Sequence, residues 1–487
     1  MDAVIDVLLD IFTQPAVIVA LIALIGLAVQ GKGFSDVLKG TVRTLVGFLV
    51  LAAGAGVVVG SLDPFGAMFQ QAFDVQGVVP NNEAIVAQVL LDYGSAAALI
   101  FFFGMIINIV LAATTRFKYI YLSGHVAFYI AAMFAVILAV AGFEPWAVVL
   151  WGSIAQGIYM VVAPALVQPF MRRVTGTDDV ALGHTGDSGI ALGGLAALLT
   201  RGKGSSKSTE ELNFPKGLSF LRDTTVIVAL SMAVIYIIVG LFAGAPYIES
   251  ELSNGQNFIV YLLLLAATFS AGVFIILAGV RVVLAEIIPA FKGVSEKLVK
   301  NAKPALDVPI VFTFAPNAVL VGFLSSFVGG IIGMLGMVAM GTTIIVPGVI
   351  AHFMTGAAAG VIGNATAGRR GAVISAFVNG LAITFLPLFL LPVLGDVGFS
   401  NATFSDADYG VFGLLLGGLS AAGGQVAIIV GLVVSLAVLY MITFVMRSRD
   451  KAKAVAATAP EARATAAKAD AIVETGRPAN SPGTDAN

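Results

Sequence analysis

The amino-acid sequence predicts an all-α membrane protein that crosses the bilayer about eleven times. Hydrophobic residues make up 59% of the 487 positions, charged residues make up only 11%, and the mean hydropathy is +0.99. A soluble chain of this length could not cover its surface with so few charges, so lipid must solvate much of it. Because one crossing helix needs about 20 apolar residues, the length accommodates roughly ten crossings and their loops.

Eleven long apolar segments follow one another along the chain. They lie near residues 14–30, 41–60, 95–113, 126–142, 146–167, 225–244, 258–288, 310–328, 329–351, 371–394 and 410–446. Residues 1–446 are therefore predicted to form one transmembrane transporter domain. The stretch 447–487 has few apolar residues other than alanine and is predicted to be a disordered cytoplasmic tail.

The distribution of basic residues predicts the orientation in the membrane. The connection after the first apolar segment contains Lys32, Lys39 and Arg43, and the last apolar segment is followed by Arg447 and Lys451. Since cytoplasmic loops are enriched in Lys and Arg, the N-terminus is predicted to lie outside and the C-terminus in the cytoplasm. The first segment lacks the positive start of a cleavable signal peptide, so we expect it to be retained as a helix.

Charge and composition exclude several classes of function. The net charge is −2 and no basic patch suits a nucleic-acid groove, so no nucleic-acid partner is expected. The absence of cysteine removes disulfides, thiolate metal sites and thiol nucleophiles from this chain. No phosphate-binding loop, serine elbow or metal-ligand helix pair is present, so we predict no catalytic residue, no metal and no cofactor.

The two halves of the chain align without a gap at an offset of 225 residues. The segment that begins at Gly47 falls on the segment that begins at Gly272, and Gly54 falls on Gly279. Identities are few, but the pattern predicts an internal repeat. With five crossings in each half the repeats would be inverted, as in many alternating-access carriers, and the substrate would bind near their interface.

Asp307 is the strongest candidate for a binding residue. It lies in the segment ALDVPIVF, where prolines break helices and leave backbone amides free to bind a polar ligand. A carboxylate at membrane depth is costly, which favours a functional role. A carboxylate at the water interface, or one paired with a nearby lysine, is the alternative.

Four further polar residues lie in apolar surroundings. His125 begins an apolar segment, where a bond to a neighbouring carbonyl would also explain it, and His352 is interpreted as structural. His184 begins a glycine-rich stretch, GHTGDSGIALGGLAALL, with the composition of a re-entrant hairpin. Asn82 and Glu83 follow a proline at the start of a helix, where they could meet a polar ligand or simply cap the helix.

Several segments, in order, resemble one family. The runs KGTVRTLVGFLVLAAGAG, VVPNNEAI, TRFKYIYLSGH and ALDVPIVFTFAPNAV are similar to the ascorbate-type enzyme IIC, the membrane component of a phosphoenolpyruvate-dependent sugar phosphotransferase system. The similarity extends over roughly residues 15–446. It implies a homodimer in a bacterial cell membrane, whose eleven-crossing subunits each combine a scaffold with a core that moves as an elevator. It also implies L-ascorbate or a related sugar as substrate, and a cytoplasmic EIIB with a phosphocysteine that is supplied by EIIA.

The resemblance also implies the residues of a substrate site. The positions that match the family are Gly54, His125, His184 and Asp307. At four further site positions this chain has Asn82, Glu83, Tyr129 and Thr185, and these depart from the pattern of ascorbate transporters. Because an ionised Glu83 beside the ascorbate anion would be unfavourable, the choice among small sugars and polyols stays open. From the residues alone, an ion-coupled carrier of a small organic acid is the alternative function.

Overall fold

The structure is a computed structural model that describes residues 15–74, 77–201, 207–212, 224–399 and 401–474. Seven helices in these ranges are long and apolar enough to cross a membrane, or eight if the pair bent by 101° at Gly244 counts as one span. The prediction of an all-α protein with many membrane-spanning helices is thereby confirmed.

The first half of the chain alternates long helices with very short strands. The elements are α1 (Pro15–Val29), α2 (Phe34–Phe73), β1 (Gly77–Pro80), α3 (Asn82–Thr114), β2 (Tyr119–Tyr121), α4 (Gly124–Val140), α5 (Pro145–Thr175), β3 (Ala181–Leu182) and α6 (Asp187–Leu199). A single 3-10 turn at Thr209–Glu211 follows in the connection to the second half.

The second half repeats this order of elements. They are α7 (Thr224–Ala243), α8 (Phe258–Leu298), β4 (Lys303–Leu306), α9 (Pro309–Phe312), α10 (Pro316–Met340), β5 (Ile344–Ile345), α11 (Val349–Leu390), β6 (Ala402–Thr403) and α12 (Ala407–Glu474). Short helical turns occupy Ala245–Tyr247, Ile248–Leu252 and Leu391–Phe399. By its internal contacts the chain divides after Leu432, and all the strands lie in the unit before that residue.

Glycines set where these helices end or break. The apolar segments predicted at 310–328 and 329–351 do not form two helices, because nothing interrupts α10 until Gly341 ends it with φ +65°. Gly368, with φ +65°, breaks α11, and Gly424, with φ +60°, breaks α12. The helix α12 continues through 451–474, where the sequence predicts disorder, and this stretch is rich in alanine, the strongest helix former.

Two small parallel sheets exchange strands between the halves. In one sheet β1 is the central strand and pairs with β5 and β6, whereas in the other β4 is central and pairs with β2 and β3. Each half therefore supplies the centre of one sheet and both edges of the other. Strands of two to four residues are too short for a period-2 pattern, so the sequence did not predict them.

The helices α2 and α8 cross at glycines. A Cβ atom on Gly47 would lie 3.0 Å from the carbonyl oxygen of Gly279, and one on Gly54 would lie 3.0 Å from that of Gly272. In the alignment at offset 225, Gly47 is equivalent to Gly272 and Gly54 to Gly279. Each glycine thus meets the equivalent of the other, which is the contact pattern of a two-fold axis.

The helices pack in two groups. In the first, α2 packs on α1 and α8, and α7 packs on α8 and α2. In the second, α3, α4 and α5 pack together, and both α6 and α10 pack on α11. The strand ends and the predicted polar residues near them belong mostly to the second group.

Candidate functional site

Three of the predicted site residues follow three neighbouring strands. His125 comes after β2, His184 after β3 and Asp307 directly after β4. Because these strands are parallel, their carboxyl ends lie at one edge of the sheet, and the three side chains meet there. The Nε2 atom of His125 is 3.5 Å from Oδ2 of Asp307, and that of His184 is 3.8 Å from Oδ1.

The carboxylate of Asp307 is held in place yet open to a ligand. Its Oδ1 atom accepts a hydrogen bond of 2.7 Å from the backbone N–H of Val308. The side chains of Asp307 and His125 are each 31% exposed, whereas that of His184 is only 6% exposed. Since both histidine distances exceed a hydrogen bond, the carboxylate keeps acceptor capacity for donors of a ligand.

The ring of His184 is oriented by its own loop. Its Nδ1 atom accepts a hydrogen bond of 3.0 Å from the backbone N–H of Gly186. The neutral ring therefore carries its proton on Nε2, on the side of Asp307. A donor aimed at this position can bind an oxygen atom of a polar solute.

At the edge of the second sheet, Asn82 and Thr185 converge on Asp406, which the sequence analysis did not single out. The Oδ2 atom of Asp406 accepts hydrogen bonds from Asn82 Nδ2 at 2.9 Å and from Thr185 Oγ1 at 2.6 Å. The backbone N–H of Ser405 donates to Asn82 Oδ1 at 2.9 Å. Because Asp406 is buried, with 3% exposure, it ties the starts of α3, α6 and α12 together.

Asp408 extends this buried polar network. Its carboxylate accepts hydrogen bonds from the hydroxyl of Tyr159 at 3.0 Å and from the backbone N–H of Ser188 at 2.7 Å. Its own backbone N–H donates to the carbonyl of Thr185 at 2.8 Å. Neighbouring Asp187 is fully buried, and neither of its carboxyl oxygens has a hydrogen-bond partner among the described residues. The network joins the edges of the two sheets.

A sequence signal for these missed residues existed. The segment FSDADYG, residues 404–410, aligns with GHTGDSG, residues 183–189, and this pairs Asp408 with Asp187. Each segment follows a two-residue strand and opens a helix. The match becomes visible only at an offset of 221, four residues short of the offset of the first helices.

The start of α3 corrects one interpretation. The residue that caps this helix is Asn81, whose Oδ1 atom accepts a hydrogen bond of 2.8 Å from the backbone N–H of Ala84. Asn82 and Glu83 lie within the first turn, so the capping alternative for these two residues is wrong. Glu83 is buried, with 6% exposure, at the end of the β1 strand.

Tyr129 and Gly54 have different surroundings. Tyr129 lies one turn after His125 in α4, and the two rings meet edge to face with centroids 6.0 Å apart. The Tyr129 hydroxyl is buried and has no hydrogen-bond partner in the described part of the chain. A Cβ atom on Gly54 would lie 2.7 Å from the backbone nitrogen of Ile276 in α8, so its close approach is to that helix. A role of Gly54 in the site stays a prediction.

A cluster of charges in the loop after α5 fixes the strand that precedes Asp307. Although burial raises the pKa of Asp178, hydrogen bonds from Arg172, Lys303 and Gln168 outweigh that effect and hold the pKa well below its usual range. The bonds from Arg172 and Gln168 measure 2.7 and 2.8 Å. Lys303, in β4, therefore pairs with Asp178, which replaces the predicted alternative of a lysine partner for Asp307.

Comparison with known proteins assigns the family. A sequence profile of the EIIC-GAT family, the PTS system sugar-specific permease component, matches residues 10–408. The chain is 26% identical over 413 residues to the ascorbate-specific PTS system EIIC component of Mycoplasma pneumoniae (strain ATCC 29342 / M129 / Subtype 1). That alignment covers 74% of this chain and 62% of the relative, so the chain spans less than two thirds of the relative's length. Because the profile covers most of the chain, this protein belongs to the EIIC-GAT family of sugar-specific permease components of the phosphotransferase system.

Proposed function

We propose that this chain is the EIIC subunit that binds L-ascorbate, or a similar small sugar or polyol, and carries it across a bacterial cell membrane. Family membership supports a sugar permease, and the name of the Mycoplasma pneumoniae relative supports ascorbate. The observation that carries the proposal is the position of Asp307 between His125 and His184, at the ends of three parallel strands.

This arrangement suits a small polyhydroxy ligand. The carboxylate of Asp307 can accept hydrogen bonds from neighbouring hydroxyls, each worth about 1.5–3 kcal/mol because the acceptor is charged. His125 and His184 can donate to ligand oxygens, and either ring, if protonated, offsets the charge of an anionic ligand. We propose that Gly54, Asn82, Glu83, Tyr129 and Thr185 complete the site.

The proposed partners follow from the chemistry of the phosphotransferase system. This chain has no cysteine, so a phosphocysteine must be carried by a separate cytoplasmic EIIB, which EIIA phosphorylates in turn. The phosphoryl group would pass from the EIIB sulfur to a hydroxyl of the bound sugar. We further propose that two copies of the chain form a homodimer, as the family resemblance implies.

The proposed architecture is an inverted repeat of eleven crossings. The exchange of strands between the two sheets and the reciprocal glycine contacts of α2 and α8 support the repeat. The group that contains α2, α7 and α8 would be the scaffold, and the group that contains the strand ends would be the core that moves as an elevator. Residues 1–446 would form this transporter, with the N-terminus outside, and 447–487 a cytoplasmic tail.

The decisive experiment is uptake of a panel of labelled sugars, polyols and ascorbate into vesicles with and without phosphorylated EIIB. We expect L-ascorbate to enter and to be recovered phosphorylated only when EIIB retains its cysteine, while binding to the purified chain needs no EIIB. Accumulation of unmodified substrate against a gradient without EIIB would contradict the proposal and would favour the ion-coupled carrier.

A further inference from the structure

Residues 207–212, here called the strap, form a short described stretch in the connection between α6 and α7. Ser208 caps a single 3-10 turn, and the Glu211 carboxylate closes that turn on the Ser208 backbone N–H at 3.0 Å. The rest of the strap is bonded to two distant helices, α10 and α11. This connection is therefore attached to the core at a defined place.

Glu210 supplies the missing cap of α10. The N-cap residue of that helix is Ala315, which has no side chain able to accept a hydrogen bond. The carboxylate of Glu210 instead accepts from the backbone N–H groups of Asn317 at 3.0 Å and Ala318 at 3.1 Å. A carboxylate at a helix N-terminus is stabilised by the free N–H groups and by the helix dipole. In return, the Asn317 side chain donates to the carbonyl of Leu212 at 2.8 Å.

The strap also binds the break in α11. The backbone N–H and Nε of Arg369, just after the break at Gly368, donate to the carbonyls of Lys207 and Ser208 at 2.9 and 3.0 Å. On the other side of the break, Asn364 Oδ1 accepts from the Thr209 backbone N–H at 2.9 Å. The strap thus fastens the start of α10 to the interruption of α11.

The attachment is polar and can be reversed. Thr209 is the only buried residue of the strap, whereas Lys207, Glu210 and Glu211 are exposed. Hydrogen bonds at such a surface exchange with water at a small net cost, and little apolar area is lost when they open. Helix contacts such as those between α10 and α11 lack this property, because their separation would expose apolar surface.

The strap also limits how far the two helix groups can separate. It joins α6, which packs on α11, to α7, which packs on α2 and α8. With the strap bound, residues 213–223 span the distance to α7, a reach of at most about 40 Å for an extended chain. With the strap released, residues 200–223 are available, and the reach becomes about 80 Å.

We propose that residues 207–212 are a detachable strap that holds the core in the present conformation and must leave α10 and α11 during each transport cycle. The proposal rests on the transport function proposed above. Glu210 acts as a positioning residue in this scheme: it fixes the start of α10, nine residues after Asp307, and it is not a ligand of the substrate.

Because the chain has no cysteine, the strap can be locked by one engineered disulfide. Ser208→Cys with Asn364→Cys places thiols at two side chains that are hydrogen-bonded at 3.3 Å and leaves Glu210 unchanged. We expect oxidation to lower EIIB-dependent uptake by about tenfold or more and reductant to restore it. Substrate binding by the oxidised protein should stay within about twofold of the reduced protein.

The controls separate the two proposals. Each single cysteine variant, treated with the same oxidant, should transport like the unmodified chain. A cross-linked protein, shown to be free of reactive thiols, that transports at the reduced rate would overturn the strap. Failure of the unmodified chain to transport any sugar with phospho-EIIB would instead overturn the proposed function.

A second measurement does not depend on the disulfide. Thr209→Cys places one thiol at the buried position of the strap, and its labelling rate reports strap opening. We expect substrate together with phospho-EIIB to raise this rate, and an equal rate in resting and cycling protein would contradict the proposal. Adding Glu210→Gln should raise the resting rate by about tenfold, the equivalent of one charge-assisted bond. The matched Glu211→Gln variant, which keeps both bonds to α10, should change it little.

Discussion

Asp307 lies between two histidine rings and is 31% exposed, so a ligand can reach its carboxylate without any opening of the sheet. We expect Asp307→Asn to weaken substrate binding about ten- to hundredfold, since one or more charge-assisted hydrogen bonds are lost. Calorimetry on the purified protein measures this directly. Asp92→Asn, which changes an exposed carboxylate on α3, is the matched control. Equal affinity of the Asp307 variant and the parent would remove Asp307 from the site.

Glu83 is the residue on which the choice of substrate depends. If this buried carboxyl lines the pocket, it can accept hydrogen bonds from a neutral polyol but repels an anion unless a proton compensates. We expect Glu83→Gln to improve ascorbate binding relative to a neutral sugar. In the parent, ascorbate binding should strengthen as the pH falls from about 8 to about 6, where His125 or His184 can take up a proton.

Titration of both ligands against the parent and the Gln variant decides this point. An unchanged ratio of ascorbate to neutral-sugar affinity in Glu83→Gln would place Glu83 outside the pocket. Ascorbate would then be the more strongly supported substrate, because its anion would meet no opposing carboxylate.

Residue chemistry explains which site residues could be predicted. Asp307, His125 and His184 each stand out locally, as ionisable groups beside prolines or glycines within apolar sequence. Asp406 was missed because its partners, Asn82 and Thr185, are more than 200 residues away in the chain. Convergence of this kind depends on strand pairing between the halves, which no local pattern records.

At the scale of elements, the sequence predicted the helices far better than the strands. Long apolar segments locate most helices, because about 20 apolar residues are needed to cross the membrane. Their boundaries were less certain: one apolar stretch that was divided at residue 328 forms the single helix α10, since its end depends on the backbone of Gly341. The six strands contain at most four residues each, yet they bring the site together.

The crossing of α2 and α8 gives a test at this scale. A Cβ atom on Gly279 would lie 2.5 Å from the backbone nitrogen of Leu51, a clash that a backbone atom cannot avoid by rotating. We expect Gly279→Ala to destabilise the protein by about 1–3 kcal/mol. Gly56→Ala, on α2, should leave stability nearly unchanged or raise it slightly, because nothing lies within 4 Å of the added atom.

Thermal unfolding in one detergent compares the two variants. Equal melting temperatures for Gly279→Ala and Gly56→Ala would mean that α2 and α8 do not approach at these glycines. The reciprocal contact of Gly47 and Gly54 with α8 would then lose its support, and with it part of the argument for a repeat.

For the whole molecule, the exchange of strands makes each half dependent on the other. The central strand β1 has both its partners in the second half, and β4 has both its partners in the first. Since neither sheet can form from one half alone, the site at the sheet edges requires both. This agrees with a carrier whose substrate binds where two repeats meet.

An inverted repeat also requires that equivalent loops lie on opposite sides of the membrane. The exposed residues Lys32, before α2, and Asn257, before α8, are equivalent at the offset of 225. Positive residues place the first loop in the cytoplasm, so the second is predicted to lie outside. In the chain without cysteine, Lys32→Cys and Gln256→Cys each introduce one thiol at these loops.

We expect a membrane-impermeant thiol reagent to label Gln256→Cys in intact cells, and to label Lys32→Cys only after the membrane is opened. Ser448→Cys, at the end of the last apolar segment, should behave like Lys32→Cys because the basic residues around it favour the cytoplasm. If both loops were labelled from one side, α2 and α8 would enter the membrane in the same direction. Their reciprocal glycine contacts could then not arise from a two-fold axis in the membrane plane, and the inverted repeat would have to be abandoned.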